Sequence, residues 1–69
     1  MQDINKEKLL DNYKEVRRYL FEMDSDVTKL CRRLGQNASY SIRALKGERN
    51  GHKAKEYRHR IYSETIYKA

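Results

Sequence analysis

The chain contains no proline and no tryptophan, and it has only three glycines and one cysteine among 69 residues. Without proline, every position can donate the backbone hydrogen bond that a helix requires. The scarcity of glycine leaves few places where the backbone turns left-handed easily. Because a single cysteine cannot form a disulfide within the chain, we expect a reducing, cytoplasmic setting. Together these absences predict an all-α fold.

Two further absences limit the possible functions. No apolar run approaches the roughly 20 residues that a membrane-spanning helix needs, and no secretory signal peptide is visible. The sequence also lacks a glycine-rich phosphate loop, a cluster of carboxylates and any metal-ligand spacing. We therefore expect a protein that is not an enzyme, with no metal, no cofactor, no small-molecule ligand and no membrane partner.

Positive charge is concentrated in one half of the chain. The net charge is +6. Residues 1–31 carry six Lys/Arg against seven Asp/Glu, a net charge of −1, whereas residues 32–69 carry ten against three, a net charge of +7. A basic surface of this kind suits DNA, because neutralising phosphates releases counterions and supplies non-specific affinity. An ordinary solvated basic face is the alternative.

Apolar residues recur at helical spacing in the first third of the chain. Leu10, Tyr19 and Phe21 widen this stripe, since a core of 69 residues needs the rings of Tyr19 and Phe21. They could instead form an exposed aromatic pair for a partner protein. The main stripe consists of Leu9, Tyr13, Val16, Leu20 and Met23.

The spacing and the turn signals predict a single domain, residues 1–69, with four helices at about 5–23, 26–34, 37–46 and 52–67. In the last helix, Ile61 and Thr65 lie on the inward side with Tyr57, and Arg58 belongs to the charged outer side. This helix either completes the core or pairs with a second subunit.

The segment from residue 26 to 49 holds the densest set of helix signals. Asp26 or Ser25 can cap the first of its helices, and Gly35 can end it. Asn37 can cap the second helix, and Gly47 can end that one. The inward side of the first helix is Val27, Leu30, Cys31 and Leu34, and that of the second is Ile42 and Leu45, with Ser41 and Ala44 small beside them. Cys31 is interpreted as a small packing residue where the two helices cross.

This segment resembles the helix-turn-helix of the phage-repressor (Cro/lambda-repressor-like) DNA-binding family. The Leu30-Cys31 and Leu34-Gly35 pairs, the Asn37 cap and the Gly47 terminator fall at the family's spacing. Two features depart from its pattern. Cys31 stands where alanine is usual, and Ser41 and Ile42 reverse the family's order of an apolar and then a polar residue. The resemblance implies a sequence-specific double-stranded DNA-binding regulator of phage or mobile-element type, with a recognition helix at about 37–46.

A recognition helix docks with its N-terminal turn in the major groove, which selects the candidate DNA-binding residues. Arg43 is the first choice for base readout, because arginine bonds guanine with two donors. Tyr40 either contacts a sugar or thymine methyl group or packs against the domain. Arg32 and Arg33 either contact phosphate or remain solvated. The whole candidate set is Arg32, Arg33, Gln36, Asn37, Ala38, Ser39, Tyr40, Arg43, Lys46, Arg49 and Lys53, in which Gln36, Lys46 and Arg49 are expected to reach phosphates.

These patterns favour a small repressor-type transcriptional regulator that occupies an operator, as a homodimer or with a partner regulatory protein. It would be cytoplasmic, and nucleoid-associated when bound to DNA. Two alternatives remain. One is a protein-interaction module, such as an antirepressor or inhibitor, that uses its helical surface. The other is an architectural DNA binder with little sequence preference, which would bend the duplex.

Overall fold

The computed structural model describes residues 5–68, and these form four α-helices without a β-strand. They are α1 (Lys6–Glu22), α2 (Val27–Leu34), α3 (Ala38–Lys46) and α4 (His52–Glu64). The prediction of an all-α, four-helix fold is therefore confirmed. None of these helices is long and apolar enough to cross a membrane.

Side-chain oxygens cap the first three helices. Asn5 Oδ1 accepts a hydrogen bond from Lys8 N at 3.0 Å, and Asp26 Oδ1 accepts one from Lys29 N at 2.8 Å. The corresponding bond at α3 joins Asn37 Oδ1 to the Tyr40 amide, at 2.8 Å. Each such cap is worth about 1 kcal/mol. The caps predicted at Asp26 and Asn37 are thus confirmed.

Two glycines end α2 and α3 in the left-handed conformation. Gly35 has a φ of 74° and Gly47 a φ of 86°. After each glycine the next amide folds back onto the helix, with Gln36 N donating to Cys31 O and Glu48 N donating to Arg43 O. These bonds satisfy carbonyls that a helix end leaves unpaired. As a result, only the three residues 35–37 separate α2 from α3.

α3 is the central element, because it packs against each of the other three helices. Its Leu45 is completely buried, as are Val16 of α1 and Ile61 of α4. The rest of the core cluster is Leu20, Val27, Leu30, Cys31 and Tyr62. Since a close-packed core resists rotation of any one helix, these contacts fix which side of α3 faces solvent.

The inward side of α3 differs from the prediction in one residue. Ser41 is completely buried, together with Ala44 and Leu45, whereas Ile42 is half-buried at the edge of the core. The polar Ser41 tolerates this position because its Oγ accepts a hydrogen bond from Gln36 Nε2 at 3.1 Å. The small side chain also suits the place where α2 meets α3, next to Cys31.

α4 ends three residues before the predicted boundary. Thr65 leaves the helical conformation, with φ −130° and ψ −100°, and its Oγ1 donates to the Ile61 carbonyl at 2.8 Å. The chain then turns so that Tyr67 N donates to Tyr62 O. A buried threonine whose hydroxyl bonds the preceding turn competes with helix continuation, which accounts for the earlier end.

Candidate nucleic-acid interface

The outward side of α3 carries Ser39 and Arg43, four residues apart and therefore adjacent on the helix surface. Both side chains are exposed, and Arg43 forms no ion pair within residues 5–68. Asn37 is exposed at the start of the helix, but its Oδ1 is already bound to the Tyr40 amide. Its amide nitrogen is the group that an outside acceptor would meet. Ala38 is half-buried and packs against the core.

Tyr40 packs inside the domain, which was one of its two predicted uses. Its ring meets the ring of Tyr57 on α4 edge-on, with centroids 5.4 Å apart and an angle of 89°. Lys53 Nζ lies 6.0 Å from the Tyr40 centroid and 5.5 Å from the Tyr57 centroid. This cluster joins the N-terminal ends of α3 and α4, and it places Lys53 beside the first turn of α3.

Tyr57 belongs to this cluster but was not among the predicted DNA-binding residues. The available signal was its spacing from Lys53, since residues four apart on a helix face one another. The pattern assigned Tyr57 only to the inward stripe of α4. Its pairing with Tyr40 depends on how α3 crosses α4, which no local pattern encodes.

Lys46 and Arg49 lie at the other end of α3. Lys46 is half-buried and its Nζ lies 5.9 Å from the ring centroid of Tyr13 on α1. Arg49 is exposed in the loop that follows Gly47. The rise of 1.5 Å per residue puts Lys46 about 12 Å along the helix from Ala38. These two cations are therefore separate from the group at the first turn of α3.

A buried arginine, Arg58, holds the loop after α3. The prediction that it lies on the charged outer side of α4 is wrong. Arg58 is only 6% exposed, and its Nη2 donates to Asn50 Oδ1 at 3.1 Å. Asn50 Nδ2 in turn donates to the Gly47 carbonyl at 2.8 Å. Arg58 is thus a structural cation rather than a surface one. Its burial follows from the position of the loop, which helical spacing alone does not show.

Gln36 does not face outward as expected for a phosphate contact. It is buried, and its amide nitrogen donates to Ser41 Oγ. Its Oε1 has no hydrogen-bond partner within residues 5–68. In this arrangement Gln36 braces the turn between α2 and α3.

The two arginines of α2 have different surroundings. Arg33 Nη2 lies 3.5 Å from Glu64 Oε1 at the end of α4, in an exposed ion pair that adds little stability. It lines a groove with Leu20 and Met23 that includes no residue of α3, so it lies apart from Ser39 and Arg43. Arg32 is exposed and has no ion pair in the described part of the chain.

The candidate cations are largely uncompensated by acidic side chains. α3 itself contains no acidic residue. Across residues 5–68 Arg33 is the only arginine or lysine in an ion pair, with Glu64; the other contact of this kind joins His52 Nε2 to Glu56 at 2.9 Å and is an ion pair only when the histidine is protonated. The remaining arginines and lysines of the candidate set therefore present net positive charge to solvent.

Cys31 has the properties of a packing residue. It is completely buried, and this burial raises the pKa of its thiol, an effect that its hydrogen bond with Ser41 partly opposes. A thiol with a raised pKa is a poor nucleophile and a poor metal ligand at neutral pH. Within residues 5–68, moreover, His, Cys, Asp and Glu side chains form no group of three that could hold a metal ion.

No protein-family model, curated protein or solved structure matches this chain. A functional assignment therefore depends on the chemistry and geometry of its own residues.

Proposed function

We propose that this protein is a small sequence-specific double-stranded DNA-binding transcriptional regulator, of the phage-repressor-like helix-turn-helix kind, that reads its operator with α3. The observation that carries the proposal is the placement of α3. This helix follows α2 after a three-residue turn, is locked into the core by Leu45, and turns Ser39 and Arg43 outward. Two short helices joined in this way, with a basic and exposed second helix, are the arrangement that docks in a major groove.

Base readout is assigned to the exposed side of α3. Arg43 has five N–H donors and no ion-pair partner within residues 5–68, so it can donate to two acceptors of a guanine. Ser39 lies one turn earlier and can bond a base edge or a phosphate. The amide nitrogen of Asn37 is oriented by the cap and is suited to a phosphate oxygen.

Phosphate contacts are assigned to cations around α3. Lys53 is held beside the first turn by Tyr40 and Tyr57, and Lys46 and Arg49 extend the positive surface from the helix's other end. Arg32 is also assigned to phosphate contact. Neutralising phosphates with these cations releases counterions. If the protein dimerises, symmetric half-sites should lie about 34 Å apart. Control would then come from occupancy of the operator.

The test compares Arg43→Ala with Lys55→Ala. The two substitutions each remove one exposed positive charge, but Lys55 lies two residues from Lys53, about 200° around α4, and therefore faces away from it. Arg43→Ala should cost about 1–3 kcal/mol of binding free energy on a preferred duplex and little on a random duplex. Titration of both duplexes at one fixed salt concentration measures this difference.

Lys55→Ala should leave both affinities nearly unchanged. Equal weakening of the preferred and random duplexes by Arg43→Ala would remove Arg43 from base readout. If in addition the bound duplex is strongly bent, the architectural alternative replaces the proposal.

A further inference from the structure

Phe21 is the most exposed large apolar residue in the described part of the chain. It lies on α1 with 80% of its surface accessible, and Leu10 on the same helix is 42% accessible. Phe21 was predicted either to widen the apolar stripe of α1 or to be exposed with Tyr19, and in the structure Phe21 is exposed whereas Tyr19 packs against the core. Leu10, which was predicted to widen the same stripe, is exposed as well. Eleven residues separate Phe21 from Leu10, close to three helical turns, so both side chains lie on one flank of α1. This flank has no covering element within residues 5–68.

A groove runs beside Phe21, between α1 and the start of α2. Its volume is about 670 Å³. Because the ring of Phe21 is 80% exposed, the groove is open to solvent, and the surface of a partner protein suits it better than an enclosed small molecule. The lining side chains that matter for its chemistry are Tyr13, Lys14, Arg17, Arg18 and Phe21.

The rim of the groove is positive. Lys14, Arg17 and Arg18 are exposed and form no ion pair within residues 5–68. Asp26 is the carboxylate at the groove, and its Oδ1 accepts a hydrogen bond from Lys29 N as the cap of α2. The acidic residues of α1, which are Glu7, Asp11, Glu15 and Glu22, are not among the residues that line the groove. Residues 1–31 carry a net charge of −1, but the groove that they line is positive.

We infer that this groove binds an acidic amphipathic segment of a partner protein, with Phe21 as the apolar anchor. The partner's carboxylates would face Lys14, Arg17 and Arg18, and its apolar side would cover the Phe21 ring. Aromatic and arginine side chains carry most of the energy of protein interfaces, and both types meet here. The binding mode is that of an amphipathic helix in a groove.

Two other occupants fit the surface less well. A symmetric pair of copies joined through this groove would bring like charges together, because each copy presents the same patch. A DNA backbone would match the three cations but would leave the apolar ring of Phe21 uncovered. The inference is also independent of DNA binding by α3, because none of the groove's lining residues belongs to α3.

The test selects peptides from a displayed random library with the full chain as bait. Four baits are compared: the wild type, Phe21→Ala, Arg17→Glu, and Lys55→Glu as the matched charge control on α4. Since Phe21 is exposed, its replacement should not disturb folding, and an unchanged melting curve verifies this. We expect the wild type and Lys55→Glu to enrich acidic peptides with apolar residues every three or four positions. Binding of an enriched peptide should fall about tenfold or more with Phe21→Ala and with Arg17→Glu.

A second readout maps the binding site on the labelled chain. Titration of the enriched peptide should shift the backbone amide signals of residues 13–28. The inference is overturned if no acidic amphipathic peptide is enriched, if all four baits bind the selected peptides equally, or if the shifts fall on α3 and α4. It is also overturned if a random duplex shifts the groove signals and Phe21→Ala leaves that binding unchanged, because the groove would then be a DNA contact.

Discussion

Cys31 and Ser41 meet where α2 approaches α3, and neither has any accessible surface. Small side chains at such a crossing let two helix backbones approach closely, and a larger residue at either position would force them apart. The thiol and the hydroxyl are therefore part of the packing that sets the orientation of α3. Burial also raises the pKa of the Cys31 thiol, and the effect of this shift on stability can be measured.

Burial raises the pKa of Cys31 above its ordinary value of 9.0. A group whose pKa is raised by folding contributes stability that is fully present below its unfolded pKa and is lost as pH rises through the folded value. The free energy of unfolding should therefore fall more steeply above about pH 9 in the wild type than in Cys31→Ala. Urea unfolding at a series of pH values measures both slopes.

Tyr62 shifts in the same direction, since burial raises the pKa of its phenol above 10.0. Because Tyr62 is present in both proteins, the difference between the two slopes reports on Cys31 alone. Parallel curves for the wild type and Cys31→Ala would contradict the account of a buried neutral thiol.

At the scale of elements, the ends of the helices decide the layout of the domain. Gly35 follows the last residue of α2 with a positive φ, whereas Gly51 precedes the first residue of α4 with a φ of −69° and supplies no side-chain cap. A Cβ atom at either position would meet nothing within 4 Å. The two glycines therefore differ in backbone conformation and not in available space.

Serine at these two positions should have opposite effects. Gly51→Ser supplies the missing cap and restricts the unfolded chain, so it should stabilise the protein by about 0.5–1 kcal/mol. Gly35→Ser places a side chain in a left-handed conformation and should destabilise the protein by about 1–2 kcal/mol. Thermal or urea unfolding of the two variants measures both changes. A destabilised Gly51→Ser protein would show that α4 does not begin at His52.

The helix ends also show how far the sequence predicts this fold. Asp26, Gly35, Asn37 and Gly47 act through bonds to residues within five positions of themselves, and all four were predicted from local pattern. Arg58 was not, because its burial depends on a partner, Asn50, in a loop that folds back onto α4. Long-range packing decides such positions.

The candidate site was predictable to a similar extent. The exposure of Ser39 and Arg43 follows from helical spacing once the buried side of α3 is known. The burial of Gln36 and the pairing of Tyr40 with Tyr57 depend on how α3 crosses its neighbours. The apolar stripe predicted on α1 likewise included Leu10 and Phe21, although the packing of the core leaves both side chains exposed.

For the whole molecule, positive charge is the property most relevant to the proposal. If cations around α3 neutralise phosphates, the logarithm of the binding constant should fall linearly with the logarithm of salt concentration. Lys53→Ala should weaken binding to preferred and random duplexes alike and reduce the magnitude of the salt slope by about 1. Lys55→Ala, on the other side of α4, should leave the slope unchanged. Identical slopes for the wild type and Lys53→Ala would place Lys53 outside the interface.

Selection of bound fragments from a random duplex pool shows whether α3 reads a DNA sequence. The selection is made at physiological salt with competitor DNA, which suppresses binding driven by charge alone. We expect enrichment of one short motif, and Arg43→Ala should lose that enrichment. Binding without enrichment, or no binding to any duplex, would show that α3 does not read a DNA sequence.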